Sequence, residues 1–124
     1  MTHHTYIAGP MTGLPNFNFP AFNAAAKHLR SQGHTVFNPA ERDIERHGGV
    51  DISADNHAGD PALAAKQHGF SLRDALADDT AFICKQATAI AMLPGWENSK
   101  GARAEHALAV ALGLVVIYLE VIRV

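Results

Sequence analysis

Residues 87–93, "ATAIAML", form a run without a charged side chain that stops at Pro94-Gly95. A short, uninterrupted apolar run reads as a strand buried on both faces, the habit of parallel sheets covered by helices on each side. The other β-prone runs, residues 5–8, "HTVFNP" (34–39) and "LVVIYL" (114–119), alternate with segments of helical character. The order β-α-β-loop-α-β-α-β predicts one α/β domain over residues 1–124. It is expected to be a Rossmann-like (flavodoxin-like) open, mostly parallel sheet of about four or five strands, with helices on both faces and right-handed crossovers.

Local signals place the helices. Asn18 and Pro20 start one that runs to about residue 32 and closes at Gly33. Asn38-Pro39 stops the second strand, and residues 41–60 are polar, rich in Gly, Asp and His, and without periodicity. That length of loop reads as a lid or an insertion. Asp60-Pro61 opens a short helix that Gly69 ends, and Ser71 with Asp74 is a capping-box variant opening a longer one. On that longer helix Leu72, Leu76 and Ile83 form the expected core stripe, with Ala75 and Phe82 beside it. The last helix spans residues 100–112 and closes at Gly113.

Composition narrows the function classes. With 48% hydrophobic residues, 18% charged residues and a net charge of −2, the chain lacks the basic excess of a nucleic-acid binder. The longest apolar run, residues 112–119, is broken by Gly113 and is far short of the roughly 18 residues of a membrane span. The single cysteine, Cys84, has no internal disulfide partner, and no leader-like segment opens the chain, so a cytoplasmic location is expected. Cys84 itself is expected in the core rather than as a nucleophile.

In open parallel sheets, ligands bind beyond the carboxyl ends of the strands. Two loops reach that edge. "AGPMTG" has Gly9 and Gly13 for a tight path, and "PGWENSKG" leads through Ser99 and Gly101 into the amino end of the last helix, which favours anions. Together they suit a phosphate; separately they are ordinary turns, since neither G-x-G-x-x-G nor the Walker pattern is present. The carboxylates say more. At 100° per residue Asp79 falls near the centre of the apolar stripe and Asp78 on its rim, while Glu105 shares a face with Gly101, Leu108, Ala109 and Leu112. An inward carboxylate is rare unless paired or functional, and pairing with Arg73 or Arg103 is the plain alternative. The helical rise sets Glu105 about 9 Å below the anion cradle, roughly the reach from a 5′-phosphate to the anomeric carbon of a pentose. Attack on that carbon, or stabilisation of an oxocarbenium-like transition state, is the chemistry that spacing suits. Trp96 with Phe17 and Phe19 offers either an aromatic wall for a flat base or simple packing. The histidines lack metal-binding spacing, so no metal is expected.

These stretches resemble a known group. "YIAGPMTG" and the S-x-G-x-x-x-E pattern of Ser99, Gly101 and Glu105 resemble the nucleoside 2-deoxyribosyltransferase superfamily. "AGPMTGLPNFNFPAF", "VFNPAE" and "LPGWENSKGARAEHALA" resemble its small-protein group DUF4406, found in bacteria and phages, over nearly the whole chain. The resemblance implies that Glu105 is the nucleophile at C1′ and that Asp79 handles the leaving base or orients the sugar. Where transferases carry an aspartate for the free 5′-hydroxyl, this chain has Ser99, which resembles the nucleoside 5′-monophosphate N-glycosidases. A carboxylate there would repel a phosphate. The family threonine after the glycine is Ala102 here.

The expectation is therefore cofactor-free hydrolysis of a (deoxy)nucleoside 5′-monophosphate to free base and (deoxy)ribose 5-phosphate. Glu105 and Asp79 would be catalytic; Ser99, Gly101 and the backbone of Gly9, Pro10, Met11 and Gly13 would bind the substrate, with Tyr6, Met11 and Trp96 shaping the base and sugar pocket. Base exchange between nucleosides and non-catalytic binding of a nucleotide signal are the alternatives. The partner is a small-molecule nucleotide, with neither nucleic acid nor membrane. The resemblance also implies a homodimer or higher homo-oligomer, for which the apolar end "VIRV" offers a surface.

Overall fold

A computed structural model describes residues 3–120. Four strands, β1 (His4–Ala8), β2 (Thr35–Phe37), β3 (Ala89–Met92) and β4 (Val115–Tyr118), form one all-parallel sheet in the order β2-β1-β3-β4. The expected α/β architecture is thus present with four strands. Five helices connect them: α1 (Phe19–Ser31), α2 (Pro39–Arg46), α3 (Pro61–His68), α4 (Leu72–Lys85) and α5 (Lys100–Ala111).

Strand alternation divides the core. Ile7 and Ala91 point to the face covered by Phe22, Ala25, Ala26 and Leu29 of α1. Tyr6, Ala8, Ile90 and Met92 point to the other, against Ile83 of α4 and Ala102 and Ala109 of α5. The apolar run that predicted a doubly covered strand is buried at all four positions of β3. Because the chain leaves β1 towards β2 and leaves β3 towards β4, the order reverses between the two central strands. The loops after β1 and β3 therefore splay to opposite faces and leave a crevice at their carboxyl ends.

Several local expectations are corrected. The first residues of the expected 41–60 loop, 41–46, are helical and belong to α2: Asn38 caps it by accepting from the Ala40 amide, and Pro39 sits in its first turn. The inward face of α2 carries Pro39, Ala40 and the acid Asp43, so no apolar period marks it. The inward line of α4 is Ala75, Asp79 and Ile83, while Leu72, in the first turn, is 56% exposed. On α5 the line is Ala102, Glu105 and Ala109, and Leu112 lies exposed past the helix end. Cys84 is exposed, on the flank of α4 turned away from Ile83.

The segment after α2 is hydrogen-bonded to the loop after β1. Gly13 donates its amide to the Gly59 carbonyl (2.8 Å) and Asn16 donates to the Asn56 carbonyl (2.9 Å). Asn16 Nδ2 donates to the Ser53 carbonyl (2.7 Å). Between these clips Asn16, Phe17 and Asn18 all adopt left-handed backbone (φ 54°, 51° and 59°), a conformation costly for non-glycine residues. Burial of Phe17 and the bond from Asn18 Nδ2 to the Pro10 carbonyl (3.0 Å) hold the turn in place.

Candidate functional site

The loops at the crevice touch each other directly. A Cβ on Gly9 would lie 2.7 Å from Leu93 Cβ, so glycine is what lets the loop after β1 lie against the loop after β3. Gly95, at φ 87°, faces the Pro10 ring. Gly13 has its amide committed to Gly59 and is not free to grip an anion. Met11 packs into the core on the α1 side of the sheet. Ser99 caps α5, its Oγ accepting from the Ala102 amide at 3.2 Å, which leaves the hydroxyl proton available. A side chain at Gly101 would meet open space, so the start of α5 is uncrowded.

Glu105 is 6% exposed, with small residues one turn away on either side, Ala102 and Ala109, letting α5 lie close to the sheet. From β1, Tyr6 reaches across and donates its hydroxyl to Glu105 Oε2 at 2.6 Å. The Tyr6 ring is seated by Phe37 and Phe82, with centroids 5.5 and 6.4 Å away. Burial, with Glu105 and Asp79 close by, pushes the phenol well above its ordinary value, so it remains a donor at every working pH.

Asp79 comes in from α4, buried, and its Oδ1 has no hydrogen-bond partner. Desolvation pushes its carboxyl up to about 7, opposed mainly by the Arg46 guanidinium. Desolvation likewise pushes Glu105 up to about 8, although the Tyr6 hydrogen bond pulls it down. Two buried carboxyls that disfavour charge thus stand close to one phenol donor, the kind of grouping proton transfer requires.

The cations near them are not the expected ones. Arg73 and Arg103 are exposed, and Arg46 of α2 approaches Asp79 Oδ1 at 3.7 Å while also binding Asp43 and Asp78. Arg42 donates to Asp78 Oδ2 at 2.8 Å. Arg46 and Asp43 were hidden from sequence reasoning, yet a signal existed: Asn38-Pro39 is the same kind of helix start as Asp60-Pro61.

The aromatic wall does not form as a unit. Phe17 and Phe19 are buried on the α1 side, whereas Trp96 belongs to the opposite core and stacks on His106 at 4.3 Å. His106 Nε2 is 2.8 Å from the Tyr118 hydroxyl. A hollow of about 640 Å³ between α2, α3 and α4 is lined by Arg46, His47, His68, Phe70, Ser71 and Ala75; it stops at Arg46, short of Glu105. Among the described residues no group of three or more His, Cys, Asp or Glu side chains is spaced to hold a metal ion.

A family model described as "Domain of unknown function (DUF4406)" matches residues 3–118. The chain belongs to the DUF4406 family. No curated protein and no solved structure matches it. The DUF4406 match runs from β1 through β4, so the Tyr6, Asp79 and Glu105 arrangement lies wholly inside it. Among the described residues of this DUF4406 chain no helix is long and apolar enough to cross a membrane.

Proposed function

We propose that this chain hydrolyses the N-glycosidic bond of a (deoxy)nucleoside 5′-monophosphate, in the manner of the nucleoside 2-deoxyribosyltransferase superfamily it resembles. The observation that carries the reading is Glu105: a buried carboxyl held by Tyr6, beside Asp79, on the helix that follows the carboxyl end of β3. In the proposed step ionised Glu105 bonds to C1′ as the C1′–N bond breaks, its electron pair leaving with the base. Asp79 in its acid form delivers the proton to the departing nitrogen. Water then attacks C1′, giving its hydroxyl to the sugar and its proton to ionised Asp79, which releases (deoxy)ribose 5-phosphate and restores both ionised Glu105 and protonated Asp79. The Ser99 hydroxyl and the free amides at the start of α5 would bind the phosphate, which needs no cation there.

The decisive measurement is base release from a panel of nucleoside 5′-monophosphates and their nucleosides, comparing wild type with Glu105→Gln. Release from the monophosphates is expected to fall by about 10³-fold or more in the variant, as for loss of a covalent nucleophile. No release from any compound, or equal release by the variant, would overturn the proposal. The closure around Glu105 favours one other reading, binding of a nucleotide without turnover; calorimetric binding unaffected by Glu105→Gln would support it instead.

A cytoplasmic homodimer is part of the proposal. "VIRV" lies outside the described residues, but Val110, Leu112, Val115 and Tyr118 are exposed around the edge strand β4. Light scattering at micromolar concentration is expected to give twice the 13.3 kDa chain mass, and a monomer would refute it.

A further inference from the structure

We propose that Arg46 is the positioning residue for Asp79: from α2 it fixes the carboxyl against the Tyr6–Glu105 pair and supplies the charge against which Asp79 can ionise. The catalytic meaning of this assignment rests on the glycosidic reading above; the geometry does not. Arg46 is the one cation within ion-pair range of Asp79 among the described residues, 3.7 Å from the oxygen that has no hydrogen-bond partner. Its own side chain is only 18% exposed and is anchored on two further carboxylates, Asp43 one turn back and Asp78 on α4. Such anchoring removes the freedom an arginine normally has. A guanidinium pinned at two points holds a fixed place relative to the third, and α2 and α4 are locked together through it.

The groups facing Asp79 come from four elements: Asp43 and Arg46 from α2, Asp78 from α4 itself, Tyr6 from β1, and Glu105 from α5, to which Asp79 couples. Replacing Arg46 by a neutral residue removes the positive member of this set and leaves Asp43 without its guanidinium partner, while Asp78 keeps Arg42. Both changes push in one direction, towards a more tightly held proton on Asp79. An Asp79 that holds its proton more tightly gives it up less readily to the departing nitrogen and stays in its acid form to higher pH.

The test follows the Asp79 and Glu105 side-chain carboxyl carbons by NMR titration in the full chain, for wild type, Arg46→Gln, Arg46→Lys and the double variant Asp43→Asn/Arg46→Gln. The Asp79 midpoint is expected to rise by about one pH unit in Arg46→Gln, a tenfold change in proton affinity, and to return most of the way in Arg46→Lys. The double variant, which removes one stranded charge, decides the matter if Arg46→Gln does not fold, and there too the midpoint should rise. A midpoint within about 0.3 units of wild type in the folded Gln variants, or a Lys variant no closer to wild type than Gln, overturns the assignment. On the nucleotide substrate, the alkaline arm of the kcat profile should move in the same direction, with KM little changed. A chain that releases no base sinks the glycosidic reading while the titration still decides the role of Arg46.

Discussion

Tyr6 has one proton to donate and gives it to Glu105. That bond opposes the desolvation of Glu105, so its loss is expected to drive the carboxyl further above about 8. Tyr6→Phe keeps the ring between Phe37 and Phe82 and deletes only the donor. Because an ionised, unsatisfied carboxylate costs far more than a neutral one, the variant should lose roughly 1–3 kcal/mol in urea unfolding at pH 9 and markedly less at pH 5. Equal losses at both pH values would mean that the hydroxyl acts by packing alone. Ser99 shows the same economy of use: its oxygen accepts the Ala102 amide while its proton remains free, so one residue serves both as helix cap and as the proposed phosphate donor.

At the scale of elements, the site depends on a segment that looks like loop in the sequence. α2 supplies Arg46, and residues 53–59 clip the loop after β1 through Gly59 and Asn56. Gly59 has no room to change: a Cβ there would lie 2.2 Å from the Leu14 carbonyl oxygen, at φ 59°. Gly59→Ala should therefore cost about 3 kcal/mol or more, since the neighbour in the way is backbone and cannot turn aside. Gly9→Ala, which crowds the Leu93 side chain close to its own backbone, should cost about 1–3 kcal/mol. Denaturant midpoints measure both, and a neutral Gly59→Ala would show that the clip is dispensable.

For the molecule as a whole, the buried carboxyls set the pH dependence. Asp79 and Glu105 rise from ordinary values of 3.8 and 4.5 to about 7 and about 8, so the folded chain holds their protons more tightly than the unfolded chain. Their contribution is fully present below about pH 4 and is lost as pH rises through about 8. Asp78, lowered by Arg42, works the other way and only at acid pH, and it is too exposed to reverse the trend. Thermal scans should show the Tm falling between pH 5 and pH 8.5, and Glu105→Gln should flatten that fall by about 4 °C or more. A wild-type Tm that rises across this range would contradict the burial of the pair. The same substitution is thus expected to stabilise the fold at alkaline pH while abolishing the proposed reaction, as when a strained site is relaxed.

What was legible in the residues was whatever short-range physics decides. The apolar run at 87–93 implied a covered parallel strand, Ser71 implied a helix cap, and helical angle alone turned Asp79 and Glu105 inward. Those signals depend on periodicity and on neighbours within one turn, so they survive without a fold. The tertiary structure decided the rest. It turned Leu72 and Cys84 outward because the α4 face is set by what the sheet can receive, and it placed Phe17 and Trp96 in opposite cores because the loops after β1 and β3 leave to opposite faces of the sheet. It also brought Arg46 to Asp79 across 33 residues of chain, counted from their numbers. No local pattern encodes that meeting: the ion pair exists only because the fold brings α2 within side-chain reach of α4, where removing a charge from water demands an opposite charge close at hand.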